Sequence, residues 1–299
     1  MRPETLLTIY ELKVPDPRSR DLLDQADLKG LLGESLAGFH WEADFAFLFC
    51  LAPLSLDPLH ARIPGLELQT THLLRYDEWQ DGAAATPLYI GPLAILPWRE
   101  GAGEPALAPR ERASLGGYPQ QLPPLYIDPG LAFGYGGHPT TKACLSFLSR
   151  LFCPQSPAIP LTALDLGSGT GVLSLAAARL GALKVLGVDH SHLAAENANF
   201  NARLNNLDSQ VAFVRGSAAD YARAPGELVM ANIPLFVHWE LLALKAYSGR
   251  KYLILSGLLP REAEKLLEGL AESLSFSVLD SHRDERWSSY LVAVTGERL

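Results

Sequence analysis

Two periodicities divide this chain. Through roughly the first hundred residues, apolar and polar positions alternate with the period of a half-buried β-strand. Leu6–Val14 reads this way, as do Asp44–Cys50, with Phe45, Phe47 and Phe49 on one face, and Leu66–Leu74. Leu22–Leu36 instead predicts a helix with Leu28, Leu31 and Leu32 on its buried side. Strands of this length with one helix describe a small α+β domain rich in antiparallel pairing, its aromatics filling the core.

From Pro139 onward, short continuous apolar runs alternate with helical spacing. Leu161–Leu166 predicts a buried strand, and Gly171–Leu180 a helix with Leu173, Ala176, Ala177 and Leu180 on one face. Val185–Asp189, Val211–Val214, Glu227–Ile233 and Tyr252–Leu255 predict further strands. Ser191–Asn205, Pro234–Ala246 and a segment opening at Pro260 predict helices. Such alternation makes an α/β fold, a doubly wound and mostly parallel sheet. Phe276–Leu279 and Tyr290–Val294, joined by a polar loop, predict an antiparallel hairpin at its edge. Gly101–Pro124 is dense in Gly, Pro and Ala and carries no period. The expected organisation is therefore residues 1–100 as an N-terminal α+β domain, 101–124 as a linker and 125–299 as the α/β domain.

Composition narrows the class. The 299 residues, 48% hydrophobic and 19% charged, suffice for two folded domains with a sizeable core. Neither a membrane-spanning run nor a signal peptide is read in the sequence, and Cys50, Cys144 and Cys153 form no C-x-x-C pair. Free thiols in a reducing cytoplasm are expected. The net charge of −8 disfavours broad nucleic-acid binding and suits a basic protein partner.

The chemistry gathers around three short motifs. Asp165-Leu-Gly-Ser-Gly-Thr-Gly171 joins the first predicted strand of the sheet to its helix, where glycines let a ligand approach bare backbone. A dinucleotide site wants G-x-G-x-x-G, whereas Val172 stands in the place of that third glycine. The shortened turn suits S-adenosylmethionine, which has no pyrophosphate to cradle. Asp189 ends the next strand, about 20 residues past Gly167, where an acid accepts ribose hydroxyls. Nicotinamide enzymes place an acid there too. Asn232 falls at the end of a strand expected beside the first one, so its carbonyl and nearby backbone carbonyls can meet an attacking amine. The plainer reading is that Asn232 caps the helix that begins near Pro234, and the two roles are compatible.

Ahead of the sheet, Ile127–His138 is glycine-rich and runs into Pro139-Thr140-Thr141 at a helix start. The first-turn N–H groups can receive a carboxylate there, with the Thr141 hydroxyl as a further donor and Phe133 as a cover. Thr140 or Thr141 could instead be a cap, and His138 is read as an anchor of the loop. His190 and His192 lack further ligands at metal spacing, so no metal is expected.

These pieces together resemble the bacterial ribosomal protein L-eleven methyltransferase family, also called ribosomal protein methyltransferase A. Its D-P-G-L-A-F-G-T-G-T-H-P-T-T segment is matched by Asp128–Thr141, with Tyr135 and Gly137 at the two variant places. Its D-x-G-x-G-[ST]-G turn is matched by Asp165–Gly171, A-N-I-L by Ala231–Pro234, and L-I-L-S-G by Leu253–Gly257. The resemblance implies a class I S-adenosylmethionine-dependent methyltransferase domain, with cofactor residues at Thr141, Gly167, Asp189 and Asn232 and catalysis at Asn232. It further implies methylation of lysine and N-terminal amines of a basic large-subunit ribosomal protein, gripped by the N-terminal domain. A cytoplasmic monomer without direct nucleic-acid or membrane contact is expected. Another protein lysine or a small amine as substrate, and a non-catalytic scaffold, are the alternatives. Tyr135 in place of threonine bears on loop closure, and Pro234 in place of leucine moves the motif toward N-P-P-[YF]. The first domain matches only around Trp79 and Ile90–Trp98.

Overall fold

The computed structural model describes residues 5–14, 16, 18–19, 22–23, 26, 28–42, 45–63, 65–75, 86–98, 122–129, 136–153 and 159–297. Phe133, Tyr135, Trp79 and most of the expected linker lie outside the described residues. Those described fall into two compact units, one up to residue 85 and one from 86.

The first unit is a four-stranded antiparallel sheet of β1 (Leu6–Lys13), β2 (Leu36–Glu42), β3 (Phe45–Cys50) and β4 (Glu67–Arg75), in the order β2-β3-β1-β4. Alternation along β3 splits its side chains between two clusters. Ala46, Leu48 and Cys50 join Tyr10, Leu12, Leu36 and Leu59 in the larger one. Phe49, with Phe47 beside it, packs on Leu7 and Ile9 in the smaller. The phenylalanines thus sit on the face with the lesser core. The helix expected over Leu22–Leu36 differs from what forms. Leu22 and Leu23 are helical. A helix α1 covers Leu28–Leu32, its last turn closed by Gly33 N–H on the Lys29 carbonyl at 2.8 Å, whereas Leu36 opens β2. A second short helix, α2 (Asp57–Arg62), starts with proline in its first turn, an N-terminal signal the alternation had hidden.

The second unit begins with a hairpin of β5 (Leu88–Ile90) and β6 (Leu93–Pro97), and β6 pairs in parallel with β7 (Leu125–Ile127). This pairing is why residues 86–98 belong with the second unit, although their position in sequence grouped them with the first hundred. Leu93, Ile95, Leu125 and Ile127 are buried against the helices that follow.

The main sheet has seven strands: β8 (Thr162–Leu166), β9 (Lys184–Asp189), β10 (Val211–Arg215), β11 (Leu228–Asn232), β12 (Tyr252–Leu258), β13 (Leu274–Arg283) and β14 (Ser288–Glu297). Their order is β10-β9-β8-β11-β12-β14-β13, parallel except for β14, which runs antiparallel to both neighbours. Helices α3 (Pro139–Leu151), α4 (Val172–Leu180) and α5 (His192–Leu204) bury Ala143, Leu175 and Ala198 with Ala163, Val185 and Met230 on one face. Helices α6 (Leu235–Ala243) and α7 (Pro260–Ser273) bury Leu241, Ala263 and Leu266 with Leu164, Leu166 and Val229 on the other. Successive strand residues point to opposite faces, so continuous apolar runs are what two helical layers require. Between β8 and β11 the strand order reverses direction, and in such sheets a crevice opens at that point beyond the strand ends. No described helix is long and apolar enough to cross a membrane.

Candidate active site

The carboxyl ends of β8, β9 and β11 carry the glycine turn, Asp189 and Asn232. Register sets Leu166 beside both Val188 and Ala231, so the three tips are immediate neighbours. After Leu166 the chain bends back. Gly167 and Ser168 both donate to the Val188 carbonyl, at 2.8 and 3.0 Å, and Gly171 closes the turn on the Ser168 carbonyl. Gly167 has φ 81°, and a Cβ there would collide with Ile233 Cγ2. From the other side, Gly257 leaves room for the same residue, since a Cβ there would stand 2.6 Å from the Ile233 carbonyl oxygen. Ile233 is therefore wedged between the ends of β8 and β12, and fixes Asn232 one residue earlier. Part of what reads as space for a ligand is space for this isoleucine.

Asp189 is 9% exposed. It takes the Gly169 N–H on Oδ2 at 2.8 Å and the Ser191 N–H on Oδ1 at 2.9 Å. A carboxylate offers about four lone-pair sites. Two are used, which leaves capacity for a vicinal pair of hydroxyls. Ser168 Oγ, buried in the same turn, has no hydrogen-bond partner among the described residues. An unpaired buried hydroxyl costs about 1–3 kcal/mol, so a polar group able to satisfy it suits this turn.

Asn232, half-buried, points its Nδ2 at Thr141 Oγ1 at 3.5 Å, across 91 residues of sequence. Of the two sequence readings for Asn232, capping does not occur. The cap position of α6 is Pro234, which makes no side-chain cap bond. Thr141 is 1% exposed and lies in the first turn of α3. That helix is capped neither by Thr140 nor by Thr141 but by His138, whose Nδ1 stands 2.7 Å from Thr140 Oγ1 and accepts from its N–H. The His138 ring also meets Trp287 edge to face, at 5.1 Å between centroids. His138 thus anchors the helix start, as expected. Thr141, Gly167, Asp189 and Asn232 are all brought to the one end of the sheet.

Behind the tips lies a polar layer that the periodicity did not reveal. Asp165 is buried and accepts from Ser174 Oγ at 2.6 Å; burial pushes its carboxyl up to about 7, against the lowering effect of the Ser174 bonds. His238 is fully buried. Its Nε2 lies 3.0 Å from the Ser256 carbonyl and its Nδ1 2.7 Å from the Tyr247 hydroxyl. A carbonyl only accepts, so Nε2 carries the proton and Tyr247 donates to Nδ1. The same Ser256 carbonyl takes the Ile233 N–H at 3.2 Å, so His238 braces the turn that holds Asn232. Burial lowers its pKa to about 4. One signal was legible: a lone histidine among the apolar residues of Leu235–Trp239. His190 and His192 instead lie at the surface beside Asp189 and Glu196. Among the described residues, no group of three or more His, Cys, Asp or Glu could hold a metal. Cys50 and Cys144 are buried, and burial pushes both thiols up to about 12.

A seven-stranded sheet with this order, an antiparallel β14, a glycine turn after its first strand and an acid after its second defines the class I methyltransferase fold. Residues 119–295 match the family described as Ribosomal protein L11 methyltransferase (PrmA), and since that is more than half the sequence, the chain belongs to this family. A relative named Ribosomal protein L11 methyltransferase from Geotalea uraniireducens (strain Rf4) is 37% identical over 177 residues, 55% of this chain and 54% of its own. One of the same name from Bacillus cereus (strain Q1) is 34% identical over 163 residues, 54% of this chain and 50% of its own. The chain thus spans about half the length of the curated relatives it matches. A crystal structure described as ribosomal protein L11 methylase from Lactobacillus delbrueckii subsp. bulgaricus is 28% identical. It covers 68% of this chain and 94% of its own, with a TM-score of 0.52.

Proposed function

We propose that this protein transfers methyl from S-adenosylmethionine to lysine or N-terminal amines of a basic ribosomal protein of the L11 type. The observation that carries the reading is the convergence of Thr141, the glycine turn, Asp189 and Asn232 at neighbouring strand tips. In this reading Asp189 accepts the two ribose hydroxyls, the glycine turn lies along the nucleoside, and Thr141 receives the amino-acid tail. The bound cofactor supplies an electrophilic methyl on a sulfonium.

What remains for the chain is to present an amine in line with that methyl. With Nδ2 turned to Thr141, Asn232 keeps Oδ1 as an acceptor for an amine N–H, which aims the nitrogen lone pair. A free lysine ammonium has a pKa of about 10.4, so deprotonation near neutral pH costs about 4–5 kcal/mol. Desolvation in the crevice lowers that cost. Asp165 is committed to Ser174, and Asp189 to the ribose, so proton loss to water fits the site better than a protein base.

The N-terminal domain is proposed to hold the substrate, and the protein to work as a cytoplasmic monomer without direct nucleic-acid or membrane contact. A second reading is favoured by one observation: the family match begins at residue 119 and leaves the first unit outside it. A different protein lysine or a small amine would then be the acceptor on the same catalytic unit.

Labelled S-adenosylmethionine incubated with purified large-subunit proteins tests the proposal. Label on ribosomal protein L11 is the expected result. Label on another protein of a whole lysate, with none on L11, selects the second reading. Asn232→Ala is expected to slow single-turnover transfer about 100-fold, in keeping with loss of one polar transition-state contact. Its affinity for S-adenosylhomocysteine should stay within about threefold.

A further inference from the structure

Helix α5 carries Asn197 and Asn201 one turn apart, although asparagine is a poor helix former, and Asn205 follows at the same spacing as its C-terminal cap residue. Asn201 is fully buried and Asn205 nearly so. Asn205 Oδ1 accepts the Tyr126 N–H at 2.8 Å, and its Nδ2 donates to the Tyr126 carbonyl at 2.6 Å. Asn201 treats Asp128 the same way, with bonds of 2.8 and 3.0 Å. Four helical residues rise about 6 Å. Two strand residues rise about 6.6 Å. The two amides therefore match the repeat of the extended chain and copy a β-ladder along β7, whose other edge pairs with β6.

One difference separates the two asparagines. Asn201 Nδ2 also donates to the Thr170 carbonyl at 3.0 Å, inside the glycine turn. Asn205 spends its remaining donor on the Asn201 carbonyl of its own helix. Asn197 adds a bond to the Asp128 carbonyl at 3.2 Å and does not touch the turn. One buried amide thus joins the glycine turn to Asp128, the residue that opens the segment ending at Thr141.

We infer that Asn201 is a positioning residue for the cofactor crevice: it holds the glycine turn at a fixed separation from Asp128 at the end of β7. The inference rests on the reading of the crevice as an S-adenosylmethionine site. Ligand binding requires the glycine turn to be in place. Without the bridge, the turn would have to be ordered by the ligand at the expense of affinity.

The test compares Asn201→Asp with Asn205→Asp in the full chain. Each keeps the acceptor for the strand N–H and loses the donors, so both are expected to lower Tm. Calorimetric titration with S-adenosylhomocysteine should show Asn201→Asp weakened tenfold or more and Asn205→Asp within threefold. Equal weakening in both variants, or none in Asn201→Asp, overturns the inference. Hydrogen exchange gives an independent reading. Asn201→Asp should accelerate the amides of both Asp128 and Gly171, and Asn205→Asp only that of Tyr126. Unchanged protection at Gly171 in Asn201→Asp overturns the bridge. If the natural chain fails to bind S-adenosylhomocysteine, the cofactor reading fails while the exchange pattern still decides the bridge. Should Asn201→Asp not fold, Asn201→Ser is measured in its place with the same criteria.

Discussion

The two units bury different things. In the first, the core is Leu, Ile, Phe, Val, Ala and Cys together with Tyr10, whose hydroxyl bonds the Leu54 backbone, and Thr8 and Ser19 are the other buried polar residues among those described. The second buries Asp165, Asp189, Asn201, Asn205, His238 and a set of serines and threonines, most of them around the carboxyl ends of the strands. Burying a polar group costs free energy unless it is hydrogen-bonded, and a half-satisfied network is worse than an apolar core. A fold that needs only stability has no reason to accumulate such groups. Their concentration in the second unit marks where the chain trades packing for chemistry. The family match, which falls on that unit alone, follows the same line.

That contrast can be broken most directly at Asp189. Asp189→Ala removes the proposed acceptor for two ribose hydroxyls, each bond to a charged group being worth about 1.5–3 kcal/mol. Affinity for S-adenosylhomocysteine should fall about 100-fold or more by calorimetry. An unchanged Kd would take Asp189 out of the site.

In the first unit the largest effects should be on stability alone. Leu48→Ala empties a fully buried position and is expected to cost about 2–5 kcal/mol in chemical denaturation, with the cofactor Kd unaltered. A Kd that moved with it would dissolve the distinction between the units.

The polar layer of the second unit should also give it a pH signature. The folded pKa of His238, about 4, lies below its unfolded value near 6.5, so the unfolded chain binds this proton more readily. The group's contribution is complete above about pH 6.5 and is lost as pH falls through about 4. This amounts to about 3 kcal/mol. The stability gap between the natural chain and His238→Gln should narrow by that amount over this range in denaturant series. A constant gap would mean the histidine is already protonated in the fold. The smallest effect is expected at the surface pair of Arg150 and Asp280, 2.8 Å apart, with Arg150 exposed and Asp280 partly so. Asp280→Ala should change stability by no more than about 0.5 kcal/mol by thermal melts.

Much of the second unit was legible because both its faces are covered. Strands with two buried faces leave uninterrupted apolar runs, and glycines and prolines punctuate them, so the strands from Leu161–Leu166 to Glu227–Ile233 could be read to within about a residue, whereas Tyr252–Leu255, Phe276–Leu279 and Tyr290–Val294 cover only parts of β12, β13 and β14. The first unit was less legible for the opposite reason. Its strands are short, its helices shorter, and Leu22–Leu36 carries apolar residues that serve a helix at one end and a strand at the other. The hairpin at Leu88–Pro97 was grouped by its place in sequence, whereas its partner strand lies beyond the linker.

The candidate site divides in the same manner. Glycine turn, acid and asparagine announced themselves by type and spacing, because local chemistry at a strand end is written in consecutive residues. That Asn232 meets Thr141 rather than capping its own helix, and that Ile233 occupies the space beside Gly167, both depended on segments far apart in sequence. So did the buried amide of Asn201 that bridges Asp128 and Thr170. Order along the chain determined which elements form and which residue types stand at their ends. Only the tertiary fold chose the partners, since a hydrogen bond is settled by distance and competition among donors and acceptors, and neither is encoded in a local pattern.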